Sequence, residues 1–158
     1  MTIPGTVEAY LRARRQAYRT LTHEEAGSSQ EIAEAAGVSG KTVVKGVVLE
    51  DADGFVVALI PATHRLHVAD IQRSCGRPLE LAREEDFQAL FADCDAGAVP
   101  ALAPAYGVPV MADRDLAALP VLYLEAGDHR TLIEMDGAAL ADLLPGAAFV
   151  PVSGPPEA

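Results

Sequence analysis

A lysine set inside an apolar run constrains this chain more than any other feature. Lys45 lies within Val43-Val44-Lys45-Gly46-Val47-Val48-Leu49, with Gly40 before the run and Asp51-Ala52-Asp53-Gly54 after it. A β-branched run of this length between turn residues predicts a buried strand. Alternation puts Val43, Lys45, Val47 and Leu49 on one face and Val44, Gly46 and Val48 on the other. Removing an ammonium from water is costly unless the group is paired or opens into a cleft. Gly46 weakens a strand and marks a place where another backbone or a ligand comes close. The lysine either snorkels at a sheet edge or presents a functional amine to a pocket, and the second reading is the expectation.

A chain of 158 residues suits one domain, expected over residues 1–152, with 153–158 as a disordered tail. Half the residues are apolar and none is Trp, so the core must be built from Val, Leu, Ile and Ala. No apolar run approaches the ~18 residues of a membrane span, and Met1-Thr2-Ile3-Pro4-Gly5 lacks the pattern of a signal peptide. Cys75 and Cys94 form no CxxC pair and read as reduced thiols in a cytoplasmic protein with no membrane partner.

The formal charge of −11 restricts the partners. Nucleic-acid binders draw most of their affinity from phosphate neutralisation by a basic stripe. Here the basic residues concentrate early (Arg12, Arg14, Arg15, Arg19, Lys41, Lys45) and the rest of the chain is acidic. A local positive patch is compatible with this pattern; tight, independent binding of a long polyanion is not.

Helical spacing is expected over Thr6–Ala17, and an alternating strand over Tyr18–His23. Ser28 and Glu31 form a capping box for a helix over Ser29–Ala36 that stops at Gly37. The Lys45 strand returns through a hairpin to Phe55–Ile60. Short helices follow over Val68–Ser74 and Arg83–Phe91, with a brief strand at Leu79–Leu81. Asp95–Gly107 is rich in Ala, Gly and Pro and has neither period, which marks a functional loop. Beyond it lie a strand at Val108–Met111, a turn at Leu116–Leu119, a hairpin of Val121–Glu125 with Arg130–Met135, and a last helix over Gly137–Leu144. Hairpins interspersed with short helices indicate an α/β fold, a mixed and mostly antiparallel barrel-like sheet with helices around it.

Among candidate sites, His64 and His67 have an i, i+3 spacing but no Cys or acidic ligand spaced with them. They are expected to be loop histidines rather than metal ligands. No GxSxG motif occurs and neither cysteine has the context of a nucleophile. Gly97-Ala98-Val99-Pro100 is a turn whose backbone N–H groups can hold an anion or a carbonyl oxygen becoming negative; it also reads as a plain connecting loop. Ala126-Gly127-Asp128-His129 reads as a hairpin turn.

Taken in order, Val44-Lys45-Gly46-Val47-Val48-Leu49, the return strand to Pro61, Asp95-Ala96-Gly97-Ala98-Val99-Pro100, Ala105-Tyr106-Gly107-Val108-Pro109-Val110 and Ala126-Gly127-Asp128-His129 resemble the YbaK / prolyl-tRNA-synthetase-associated domain family of trans-editing aminoacyl-tRNA deacylases. The resemblance runs from about Tyr18 to Leu144. It implies a pocket that uses no metal or other cofactor and takes the 3′ end of a mischarged aminoacyl-tRNA. A small amino acid such as Ala or Cys on tRNA-Pro is the implied substrate, and an aminoacyl-tRNA synthetase or elongation factor the implied protein partner. By motif match, Lys45 positions the terminal adenosine and the ester. Gly97 is the glycine of the family's loop, Pro100 its proline, and the backbone between them, through Ala98 and Val99, orients the aminoacyl carbonyl. His129 faces the pocket in relatives. Gly46 stands where relatives often carry Thr, Ala or Asn, and Ala101-Leu102-Ala103 where they carry Pro or Phe followed by Gly.

The chemistry is consistent with these residue types. An aminoacyl ester is already activated, so positioning the ester and stabilising an oxyanion can suffice without a covalent nucleophile. Two other readings stay open at this level. One is a non-catalytic module of the same fold that binds tRNA ends or a nucleotide; the other is an interaction protein that docks a basic partner on its acidic face.

Overall fold

The computed structural model describes residues 3–24 and 28–154. In chain order its elements are α1 (Gly5–Ala13), β1 (Arg19–Thr22), α2 (Ser29–Ala36), β2 (Val43–Asp51), β3 (Gly54–Pro61), β4 (Arg65–Leu66), α3 (Val68–Cys75), β5 (Glu80–Leu81) and α4 (Glu84–Phe87). They continue as β6 (Val110–Asp113), β7 (Val121–Glu125), β8 (Thr131–Asp136), α5 (Leu140–Leu143), β9 (Ala148–Val150) and β10 (Ser153–Gly154).

The main sheet runs β1-β8-β7-β2-β3-β6-β9, with β5 also paired to β2. Both expected hairpins form: Lys45 lies opposite Ile60 in the first, and Glu125 opposite Leu132 in the second. Three pairings are parallel, joining β2 to β7, β3 to β6 and β6 to β9. The sheet is mixed and mostly antiparallel, with helices around it, as the element pattern indicated. Its path is open, ending on β1 at one side and β9 at the other.

Alternation divides the apolar residues between the two faces. Val44 and Val48 of β2, Val57 and Leu59 of β3 and Leu122 and Leu124 of β7 join the largest core, with Val7 and Leu11 of α1 and Leu140 and Leu143 of α5. The opposite face carries two separate clusters. Val43 packs with Ile32 and Ala33 of α2, while Leu49 packs with Ile71 of α3 and Leu79. Lys45 shares this face and sits between the two clusters in the strand. The ammonium therefore emerges where the apolar cover is interrupted.

Local signals placed the helix ends. Ser28 Oγ accepts from the Glu31 N–H at 3.2 Å and Gly37 takes the left-handed conformation at the end of α2. The first helix is shorter than its periodicity suggests. Arg15 adopts φ 53°, and the Gln16 N–H turns back to the Leu11 carbonyl. Phe87 ends α4 and a 3₁₀ turn carries the chain through Phe91, so the expected single helix is split. Ser153 and Gly154, expected to begin the disordered tail, pair instead with Leu66 and Arg65. The rest of that tail lies outside the described residues. Among the described residues, no helix is long and apolar enough to cross a membrane.

Candidate active site

On one side β2 is paired with β3 along its whole length. On the other side its partner changes. β7 lies beside it at Val43 and Val44, and β5 at Leu49 and Glu50. Between these points Lys45, Gly46 and Val47 have no strand alongside. β7 ends at Glu125, and the Asp95–Ala101 loop takes its place: the Ala101 N–H donates to the Glu125 carbonyl at 3.1 Å. A pocket of about 280 Å³ opens in this gap.

Lys45 and Gly46 form the floor of the pocket, Gly97, Ala98 and Val99 one wall, and Glu125 and His129 another. Ser28, Ser29 and Ile32 close it from the start of α2. Lys45, Gly46, Gly97, Ala98, Val99 and His129 were expected here from the sequence, and they line one cavity. Pro100 is buried behind the loop and does not line it. Among the described residues, no hydrogen bond or ion pair engages the Lys45 ammonium.

The loop is held by bonds to the β7–β8 turn. The Asp95 N–H donates to the Gly127 carbonyl at 2.8 Å, and His129 Nε2 lies 2.9 Å from the Ala96 carbonyl. A carbonyl only accepts, so His129 carries its proton on Nε2. Asp128 fixes the turn: Oδ1 accepts from the N–H groups of Arg130 and Thr131, and Oδ2 from the Thr131 hydroxyl at 2.7 Å. This arrangement holds His129 at φ 58°, a conformation uncommon for a residue with a side chain. Within the loop the Ala98 N–H is used internally, donating to the Asp95 carbonyl. The N–H groups of Ala96, Gly97 and Val99 have no acceptor among the described residues, and of these three residues Gly97 and Val99 line the pocket. Gly97 takes φ 77°, which turns the chain between them.

Sequence reasoning missed Glu125 and read Ser29 only as a helix position. Glu125 Oε1 accepts a hydrogen bond from the Ser29 hydroxyl. Burial raises the Glu125 pKa above its ordinary value, opposed by the Ser29 bond and by the charges of His129, Lys45 and His23. His23, 8% exposed, directs Nδ1 to the Glu24 carbonyl at 2.7 Å, and its Nε2 is a buried atom with no partner among the described residues.

Other reactive groups are occupied elsewhere. Burial pushes the Cys94 thiol up to about 11, and Cys94 Sγ lies 3.3 Å from the Tyr106 hydroxyl, which donates to Asp93. The sequence placed no acidic group near His64. The fold does, bringing ligand-type atoms of His64, Asp113 and Asp115 within 4.8 Å of one another. The Asp113 carboxylate is already engaged there: Oδ1 accepts from the Asp115 N–H, and Oδ2 from both the N–H and the hydroxyl of Ser153. His67 pairs with Asp70 instead of joining His64. A depression near Pro109 and Pro145 has glycine, proline and aliphatic walls and offers no titratable group.

A family model described as an aminoacyl-tRNA editing domain matches residues 23–143. The chain belongs to this family. The matched span takes in every pocket residue named above, and the resemblance read from the motifs is borne out. None of the curated proteins matches this chain. Among solved structures, a protein described as hypothetical superposes with TM-score 0.82 at 27% identity, over 94% of this chain and 99% of that one. A putative trans-editing enzyme for prolyl-tRNA synthetase superposes with TM-score 0.80 at 24% identity, over 94% and 95%. A putative signal transduction protein from Marinobacter aquaeolei VT8 does so with TM-score 0.77 at 19% identity, over 96% of this chain but 31% of that longer one.

Proposed function

We propose that the protein is a trans-acting aminoacyl-tRNA deacylase that hydrolyses the ester of a mischarged tRNA, with a small amino acid such as Ala or Cys on tRNA-Pro. The observation that carries this reading is the Lys45 ammonium, unpaired among the described residues, set in a pocket lined by Gly97 and Val99, whose N–H groups have no acceptor among those residues. In this reading Lys45 holds the terminal nucleotide and the ester. The Gly97 and Val99 N–H groups receive the carbonyl oxygen as it becomes negative, the step at which fixed donors accelerate acyl transfer most. Water, or a hydroxyl or thiol of the substrate itself, attacks the held carbonyl.

A small aminoacyl side chain fits the dimensions. The pocket is at the low end of ligand-site volumes, and Val99 and Ile32 project apolar groups into it. The negative charge of the whole protein suits an enzyme that grips only the 3′ end, on tRNA free or presented by a synthetase or elongation factor. Such an enzyme acts in the cytoplasm, where the free thiols Cys75 and Cys94 stay reduced.

The test is ester hydrolysis across a panel of mischarged tRNAs, with the wild type and Lys45→Ala. Wild type should deacylate a small-residue tRNA-Pro, and the variant should lose that activity while melting at an unchanged temperature. Equal turnover by the two proteins would remove Lys45 from the mechanism. Binding of the tRNA with full protection of its ester would identify a binding module instead.

A further inference from the structure

Glu125 places a carboxylate in the wall of a pocket floored by a lysine. It projects from the same sheet face as Lys45, because Val43 and Val44 pair with Tyr123 and Leu124 in parallel register just before the two strands part. One oxygen, Oε1, takes the Ser29 hydroxyl. The other, Oε2, has no hydrogen bond among the described residues. A carboxylate serving only to pin the start of α2 would not need to line the cavity, yet Glu125 does. The cationic or titratable groups around it are Lys45, His129 and His23, none of which forms an ion pair with it.

An aminoacyl ester carries a free amine one bond from the carbon next to the reacting carbonyl. That amine is cationic over much of the neutral range, since α-amino groups titrate near about 8. A substrate of this kind therefore brings a positive group close to its reacting centre and a polyanion on the other side. The pocket is charged in the complementary sense, with Lys45 on its floor and Glu125 in its wall.

We propose that Glu125 accepts the substrate's α-ammonium through Oε2, so that the pocket selects aminoacyl esters with a free amine and refuses N-acylated ones. This rests on the deacylase reading above and names the substrate class within it. Ser29 is the positioning residue, fixing the carboxylate by occupying Oε1.

The experiment compares alanyl and N-acetylalanyl esters of one tRNA acceptor minihelix. Each rate is divided by that of spontaneous hydrolysis, because acylating the amine itself makes the ester less labile. With wild type, kcat/KM for the N-acetylated ester should be roughly ten- to a hundredfold lower, the worth of one hydrogen bond to a charged group. Glu125→Gln should slow the free-amine ester far more than the N-acetylated one and bring the ratio close to one. Ser29→Ala should reduce the ratio partly. Because each ratio is taken within one protein, a loss of folded material cancels. Wild-type indifference to N-acetylation would overturn the ammonium subsite and leave deacylation standing. Equal slowing of both esters in Glu125→Gln would also overturn it, since Glu125 would then act on the ester or the fold. Failure of wild type to hydrolyse any aminoacyl ester would bring down the deacylase reading and this inference with it.

Discussion

Gly46 and Val99 are fitted to each other: a β-carbon on Gly46 would stand 2.9 Å from Val99 Cγ1 and 3.3 Å from Val57 Cγ1. Real β-carbons do not approach so closely, and a branched valine has little freedom to give way. The absence of a side chain at Gly46 thus lets the Asp95–Ala101 loop lie against β2.

Gly46→Thr should consequently push Val99 and its loop away from β2. We expect a stability loss of roughly 1–3 kcal/mol, typical of overpacking, and a fall in deacylation. Val99→Ala in the same chain should recover most of both. A double-mutant cycle on melting and kcat/KM measures the coupling; additive effects would show that the contact is slack.

Glu125→Gln is expected to stabilise the fold at neutral pH while impairing activity. The folded-state pKa of Glu125 is raised above its ordinary value of 4.5, chiefly by burial. As pH rises past 4.5 the unfolded chain loses this proton first, so the folded state holds more protons and stability falls with rising pH. The penalty is complete above the folded-state pKa and absent below 4.5. The variant should therefore melt higher than wild type at pH 7, and the two should converge below about pH 4.5. Thermal melts across pH 3.5–8 test this; a constant difference would place the effect outside ionisation.

His129→Ala removes the bond from Nε2 to the Ala96 carbonyl and leaves a residue that tolerates φ 58° poorly. The loop should loosen, with kcat/KM falling roughly tenfold, the worth of about one hydrogen bond. Faster hydrogen exchange at the Ala101 amide, which donates to Glu125, would report the loosening directly. Asn, which enters the left-handed region more readily, should destabilise less than Ala while failing to restore the rate. Unchanged exchange would confine His129 to contacts with the substrate.

Binding of tRNA should be weak and shallow in its salt dependence. Among the early cations, Arg12 pairs with Glu8, Arg14 stacks on the Tyr10 ring, and Arg19 approaches Glu134 at 4.0 Å. Among the described residues Arg15, Lys41 and Lys45 are left without such a partner, the two lysines around the start of β2. Roughly one to three neutralised phosphates give a slope of log K against log salt of about −1 to −3. A minihelix should then be hydrolysed nearly as well as whole tRNA. A slope as steep as that for six phosphates would require a basic groove and exclude a grip on the 3′ end alone.

The sequence alone determined the features whose causes are local. Ser28 caps α2 through a residue three positions on, Gly37 ends that helix by its own backbone freedom, and both hairpins follow from turn residues between apolar runs. Lys45 announced itself because an ammonium in an apolar strand conflicts with its immediate neighbours. Gly97–Val99 and His129 were legible as motifs in order. Tertiary structure alone decided what these residues meet. Glu125 was just the end of a strand until β7 paired in parallel with β2, bringing it to Lys45 and to the Ser29 hydroxyl. The short strands β9 and β10 and the grouping of His64 with Asp113 and Asp115 were likewise absent from the pattern. Side-chain alternation tells which face of a strand is buried. It carries no information about which distant strand will lie alongside, because that choice is made by packing across the whole sheet.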